Sequence, residues 1–213
     1  MTPVTLTLRN AWRGGVTAQD YEAHMSAIGQ AQANAEHLAE FAGRASGRLL
    51  VAGCGPGQFF DYLEDAALDG CRPVFCDINP DFLAALRARR PGAICVADDL
   101  EHSGLHPRFD AACATLVLEH TDWREVVATL ARLAPLVMIV IQLNPPDMAT
   151  AVSPGRTPPG SMAAFKHVHP NLIDEGELAA ELGRLGMTPV SRSPKAVADG
   201  KTMLALTFQR HPS

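Results

Sequence analysis

The sequence predicts an α/β protein, a doubly wound and mostly parallel sheet with helices on both faces. Three observations carry this. Apolar runs such as LLVAG (49–53) and VMIVI (137–141) show no alternation with polar residues, as expected of strands covered on both sides. Such runs alternate with segments of helical periodicity between residues 48 and 134, the pattern of βαβ units. The first run then opens into GCGPG (53–57), with Gly53, Gly55 and Gly57 at alternate positions. That is a strand-to-helix turn, the place where open α/β sheets bind ligands.

Taken in order, residues 17–42 read as one helix. Thr17 caps it with Asp20 three residues on, and Tyr21, Met25, Ile28, Ala31, Ala35 and Leu38 recur at helical spacing. RLLVAG (48–53) is a strand and GQFFDYLEDAALDG (57–70) a helix ended by glycine. RPVFCDI (72–78) is a strand. NPDFLAALRARR (79–90) is a helix with Asn79 as cap and Pro80 in its first turn. Strands follow at 93–98 and within 108–117, then a helix at 121–134 stopped by Pro135, then the strand LVMIVIQL (136–143). Residues 144–170, rich in Pro, Gly, Ser and Thr, read as a long loop. A helix at 174–186 starts with Asp174 and Glu177 as a capping box. Two strands joined by Asp199-Gly200 make a hairpin.

Composition narrows the class. The 213 residues carry 47% hydrophobic and 19% charged residues, and a formal net charge of −5 with no long basic run. Nucleic acid and membrane surfaces are therefore not expected partners. The first residues lack the apolar core of a secretory signal. The longest apolar run is far short of the ~20 residues of a membrane span. The five cysteines follow no zinc spacing. A cytoplasmic protein with reduced thiols and no metal is the expectation, organised as a single domain over 1–213. Within it, 1–45 is an N-terminal lid and helix, 46–143 a ligand-binding half, 144–170 a long loop and 171–213 a C-terminal helix and hairpin.

The glycine turn does not fit a dinucleotide fingerprint, because Gln58 stands where the third glycine or alanine belongs. A phosphate-binding P-loop would need Lys-Ser/Thr after the last glycine, and this chain has none there. Asp77 ends the second strand 24 residues after Gly53, where a carboxylate accepts from both hydroxyls of a ribose. Such a strand-end acid is expected to add little to the core, so that the fold survives its removal. Asp98 ends the third strand and either accepts from an adenine amino group or is a surface acid. An NAD-dependent oxidoreductase is disfavoured by Gln58 and by the want of a second catalytic domain.

On LLVAGCGPGQF, PVFCDINPDFL, AICVADDL and FDAACATLVLEHTDW, in that order and spacing, the chain resembles class I S-adenosylmethionine-dependent methyltransferases over roughly residues 20–210. The resemblance implies a Rossmann-like seven-stranded sheet whose last strand, 201–210, runs antiparallel. It implies that Gly53, Cys54, Gly55 and Gly57 line the methionine part of the cofactor, and that Asp77 holds the ribose. Ile78 would pack on adenine, Asp98 and the Asp99 backbone would read its edge, and Thr115 and Leu116 would close over the reacting end. An N-terminal helix bearing Tyr21, His24 and Gln30 would lid the cofactor. The family usually places an acidic residue two positions before the first glycine, near the cofactor's amino group. Val51 stands there, which leaves open a non-catalytic cofactor-binding relative.

Methyl transfer from a sulfonium needs alignment above all, and a base only when the acceptor atom carries a proton. His120 is the first candidate for that base, with Glu119 beside it in LVLEH. His167 and His169 in FKHVHP are the second, sharing one face if the segment is extended. Similar Glu-His pairs in ubiquinone-pathway O-methyltransferases belong to a metal site with an upstream Glu. Leu116 takes that position here. LNPPDM (143–148) resembles the Asn-Pro-Pro-aromatic motif of enzymes that methylate nucleic-acid bases. It follows the fifth strand and carries Asp147 in place of the aromatic, so it reads as a proline turn. The expected acceptor is a small molecule, methylated on O or N, beneath a lid of residues 12–30 and 145–170.

Overall fold

A computed structural model of the protein describes residues 8–106, 108–148, 153, 158, 160–167 and 170–210, with 8–10 and 164–167 described by backbone alone. Seven strands form one sheet: β1 (Gly47–Ala52), β2 (Cys71–Asp77), β3 (Ile94–Ala97), β4 (Ala111–Thr115), β5 (Leu136–Leu143), β6 (Met187–Ala196) and β7 (Thr202–Arg210). Their order is β3-β2-β1-β4-β5-β7-β6. The first five are parallel, and β7 lies antiparallel between β5 and β6. This is the mixed sheet of the expectation. Strand order reverses between β1 and β4, which opens a crevice at their carboxyl ends.

The helices are α1 (Leu8–Gly14), α2 (Ala18–Ala27), α3 (Gln30–Ala42), α4 (Pro80–Arg89), α5 (Trp123–Leu133) and α6 (Glu175–Arg184). Two cores explain why the central strands are apolar throughout. Leu50 and Ala52 of β1 join residues of α5 and α6 on one face. Leu49 and Val51 join residues of α3 and α4 on the other. Several caps behave as the sequence predicts. Asn79 Oδ1 accepts from the Asp81 and Phe82 amides at 3.0 and 3.4 Å, and Asp174 Oδ1 from Glu177 N at 2.9 Å. Asp199 and Gly200 take positive φ (61° and 70°) between β6 and β7. The Asn144-Pro-Pro segment is a turn closed by a bond from Met148 N to Pro145 O at 3.0 Å.

Three elements depart from the expectation. The single helix over 17–42 is two helices, broken at Gly29, whose φ of 74° is the left-handed conformation that glycine adopts without strain. The segment 57–70 is not an α-helix. It makes two short 3₁₀ turns, Gln58–Tyr62 and Asp65–Leu68, separated by extended backbone at Leu63 and Glu64. Phe59 and Phe60 turn down onto Phe75 of β2, with ring centroids 6.3 and 5.5 Å from it. Outside, Asp61 and Asp65 pair with Arg89 and Arg90 at the end of α4. A regular helix would instead stack Asp61 on Asp65 at repulsive i,i+4 spacing. No α-helix dipole therefore follows the glycine turn. Finally, α1 has no counterpart in the sequence reading.

The described part of 144–170 contains a 3₁₀ helix, Gly160–His167. It is tied to the start of α2. Thr17 N donates to Ser161 Oγ at 2.9 Å, and Ser161 N and Oγ donate to Asp20 Oδ2 at 2.8 and 2.6 Å. Among the described residues no helix is long and apolar enough to cross a membrane. The five cysteines are unpaired thiols. Burial pushes the Cys113 thiol up to about 12.

Candidate functional site

The glycine turn is built by backbone geometry. Gly53, Gly55 and Gly57 all have positive φ, 64°, 58° and 82°. A Cβ on Gly53 would run into the Val117 side chain, and one on Gly55 would stand 3.0 Å from the Tyr21 ring. Cys54 N donates to Cys76 O at 3.0 Å, joining the turn to β2. Asp77 locks it: Gly55 N donates to Oδ2 at 2.8 Å and Asn79 N to Oδ1 at 2.9 Å. The carboxyl is buried, and desolvation pushes it up to about 6 against these backbone bonds.

One open cavity lies at the carboxyl ends of β1 to β4. Gly53, Gly55, Asp77, Ile78, Asp98, Asp99, Thr115, Leu116, Tyr21 and His120 all line it. Asp98 Oδ2 accepts from Gly104 N at 3.0 Å. Its Oδ1 is buried and has no hydrogen-bond partner among the described residues. Asp99 Oδ1 accepts from Glu101 N at 3.2 Å, and its Oδ2 lies 3.6 Å from Arg13. Cys54 and Gly57 do not line this cavity. Cys54 faces a smaller space behind the turn, and a Cβ on Gly57 would meet Leu86 and Phe60 at 3.1 Å.

A second cavity adjoins the first, and Trp12, Tyr21, Leu116 and His120 line both. The second is also lined by His24, Met25, Gln30, Glu119, Gln142 and Met162, among others. Leu116, between the two spaces, holds φ 54°, a conformation that costs about 1–3 kcal/mol for a non-glycine residue and concentrates at functional sites. Glu119 and His120 sit on the 3₁₀ turn Leu118–His120 after β4. Glu119 Oε1 accepts from Gln142 N at 2.9 Å, while Oε2 is buried with no hydrogen-bond partner among the described residues. Burial pushes the Glu119 carboxyl up to about 7. The His120 ring lies 4.9 Å from Trp12, and desolvation pushes it down to about 4, so it stays neutral at pH 7. Asn171 fixes the turn by donating its amide to Glu119 O at 2.7 Å and Nδ2 to Thr121 O at 2.9 Å. His169 lies outside the described residues, and His167 is described by its backbone alone within Gly160–His167.

The buried Glu119 gives a stability test. Its folded value of about 7 exceeds the ordinary 4.5. Its contribution is therefore fully present below pH 4.5 and is lost as pH rises through 7. Glu119→Gln should gain on the wild type by up to about 3 kcal/mol across that window. Chemical denaturation at a series of pH values reads it out, and a difference that stays flat with pH would exclude a buried, raised carboxyl.

Residues 50–137, from β1 into β5, match a family model described as a methyltransferase domain. That stretch is similar to a methyltransferase domain. Solved structures with the same fold include magnesium protoporphyrin IX methyltransferase from Synechocystis with bound S-adenosylmethionine. It shows 14% identity over 84% of this chain and 79% of that one, at TM-score 0.62. A second is 1,6-didemethyltoxoflavin-N1-methyltransferase from Burkholderia thailandensis with S-adenosylhomocysteine, at 22% identity, 85% and 79% coverage and TM-score 0.60. A third is an amino pentose methyltransferase from Micromonospora echinaspora with S-adenosylmethionine, at 16% identity, 85% and 92% coverage and TM-score 0.62. Comparison with curated proteins finds no sequence relative.

The site has aromatic walls that the sequence reading did not single out. Trp12 of α1 packs edge-on against Tyr21 and Phe82, with centroids 5.6 and 6.3 Å apart, and Tyr21 stacks on Phe82 at 5.2 Å. Trp12 and Phe82 both line the first cavity. The available signal was weak: a tryptophan in a short N-terminal segment, and an aromatic three residues after the Asn79 cap. Val51 is buried in the α3-side core.

Proposed function

We propose that this protein transfers a methyl group from S-adenosylmethionine to a small-molecule acceptor. The observation that carries the reading is the pair of adjoining cavities, one at the strand ends and one beside Glu119, meeting at Tyr21, Leu116 and His120. The donor set of the first cavity suits the cofactor. Asp77 offers a buried carboxylate with further lone pairs for ribose hydroxyls, and Asp98 Oδ1 is a buried acceptor needing a donor such as the adenine amino group. When bound, the sulfonium supplies an already activated methyl group. The chain's own residues then bind, orient and exclude water. Ile78 and Phe82 form apolar walls on the nucleoside side, Thr115 and Leu116 border the acceptor side, and Glu119 or His120 takes a proton from the acceptor where one must leave.

Methyltransferases of the same fold act on a porphyrin, a toxoflavin precursor and an amino pentose by their names, which supports a small acceptor here. The second cavity supports it too, being walled by Trp12, Met25, Met162 and Leu172. In this reading residues 1–213 act as one domain, with the described residues of 1–45 and 144–170 beside the site. S-adenosylmethionine at 100 times its Kd should stabilise the fold by about 2.7 kcal/mol, and NAD should not. Calorimetric titration with both tests this, and NAD binding without sulfonium binding overturns it. Turnover on metabolite pools, against none on DNA, RNA or folded protein, tests the acceptor class. Tight binding with no turnover on any pool would instead indicate a cofactor-binding sensor.

A further inference from the structure

Behind the glycine turn lies a small space lined by Asn34, Gln58, Val51 and Gly53, with Tyr21 and Thr115 at its edge. Tyr21, Gly53 and Thr115 also line the first cavity, so the two spaces adjoin. The small space has room for little more than one water-sized group. Two side-chain oxygens there are in debt of donors. Asn34 Oδ1 and Gln58 Oε1 are both buried without a hydrogen-bond partner among the described residues, on side chains 8% and 4% exposed. A buried carbonyl left unsatisfied costs stability, and two in one space point to a ligand group that donates. Val51 contributes only apolar surface.

We infer that Asn34 and Gln58 bind the ammonium group of the cofactor's amino-acid portion, as neutral acceptors in place of a carboxylate. The assignment rests on the cofactor reading above and deepens it. Of the donor groups S-adenosylmethionine carries, the ribose hydroxyls fall to Asp77 and the adenine amino group to Asp98. The ammonium is left, and it is compact, with three N–H donors suited to two carbonyls and a backbone oxygen. Amide oxygens gain from a cation without carrying a buried charge of their own. The fold places both residues deliberately. The break at Gly29 starts α3 at Gln30, and Ala33 and Ala35 flank Asn34 in a buried stretch of small residues. The short 3₁₀ turn that replaces a helix after Gly57 puts Gln58 at its first position, 3.1 Å from where a Cβ on Gly55 would stand.

The test compares two probes by isothermal titration: S-adenosylhomocysteine, and the same molecule with hydrogen in place of its α-amino group. The wild type should prefer the amine. Asn34→Leu and Gln58→Leu should each cut that preference about tenfold or more, while binding of the deaminated probe changes less than about threefold. Retained binding of the deaminated probe also reports that each variant folds. Equal losses for both probes would make the amides structural and overturn the assignment. An unchanged preference would mean that the space holds only water, and would overturn it as well. Failure of the wild type to bind either probe would overturn the cofactor reading itself. Loss of the amine preference alone, with both probes still bound, would leave that reading standing.

Discussion

Asp77→Ala is expected to weaken S-adenosylmethionine binding by about 10²–10⁴-fold. Two hydrogen bonds to a charged acceptor are lost, each worth about 1.5–3 kcal/mol. The geometry adds a second effect that a surface acid would not have. Asp77 accepts from Gly55 N and Asn79 N, so alanine strands two buried donors at about 1–3 kcal/mol each. Part of that loss is offset, because the buried carboxyl, pushed up to about 6, is itself held against a desolvation cost. The net expectation is a moderately destabilised protein with a loosened glycine turn, not the untouched fold expected of a strand-end acid. Asp77→Asn separates the two effects. It keeps an acceptor for one of the amides, so its melting temperature should stay closer to the wild type while its cofactor affinity still falls. Affinity should also drop in the wild type below about pH 6, as the carboxylate takes up a proton and ceases to accept from both hydroxyls. A folded Asp77→Asn protein with wild-type affinity at pH 7 would remove Asp77 from the site.

Much of this arrangement is legible in the sequence, for definite reasons. Strands buried on both faces read as unbroken apolar runs, so Leu49 and Leu50, facing opposite cores, announce a covered parallel sheet. Asn79-Pro80 announces a helix start through local chemistry alone, and Asn79 caps α4 as expected. What was not legible depends on competition between local and distant forces. Helical periodicity runs through Gly29, since Met25, Ile28 and Ala31 keep their spacing. Only the backbone's left-handed turn there breaks the helix. Residues 57–70 have good helix formers, yet Phe59 and Phe60 gain more by reaching Phe75, and the acids gain partners on α4. Asn34 sits among alanines and carries no local mark of function. Its meaning comes from α3 packing behind the glycine turn, a contact between distant parts of the chain. The relative rank of His120 and Glu119 was equally hidden. Ordinary side-chain values favour histidine near neutral pH, and burial moves the two groups in opposite directions.

That opposition makes Glu119→Gln the most informative change for the chemistry, with an expected fall in kcat of about 10²–10⁴-fold where the acceptor must lose a proton. A base works best with a value near the operating pH. Glu119, raised to about 7, meets that condition, whereas His120, lowered to about 4, is neutral but weakly basic. Glu119 also has the better posture. Gln142 N holds Oε1 at 2.9 Å, and Gln142 Oε1 in turn accepts from Gln30 Nε2 at 2.8 Å. The carboxyl is thus braced by β5 and by the start of α3, while Oε2 has no hydrogen-bond partner among the described residues. The glutamine variant keeps size and the bond to Gln142 N, so cofactor affinity should not change. The acid limb of the kcat/KM profile, set near pH 7 by ionisation of Glu119, should vanish in Glu119→Gln and persist in His120→Ala. If the limb instead vanishes with His120→Ala and survives Glu119→Gln, the histidine is the base and the burial argument fails. If neither variant loses more than about tenfold in kcat, no proton leaves in the slow step, and alignment at Leu116 and Tyr21 supplies the rate.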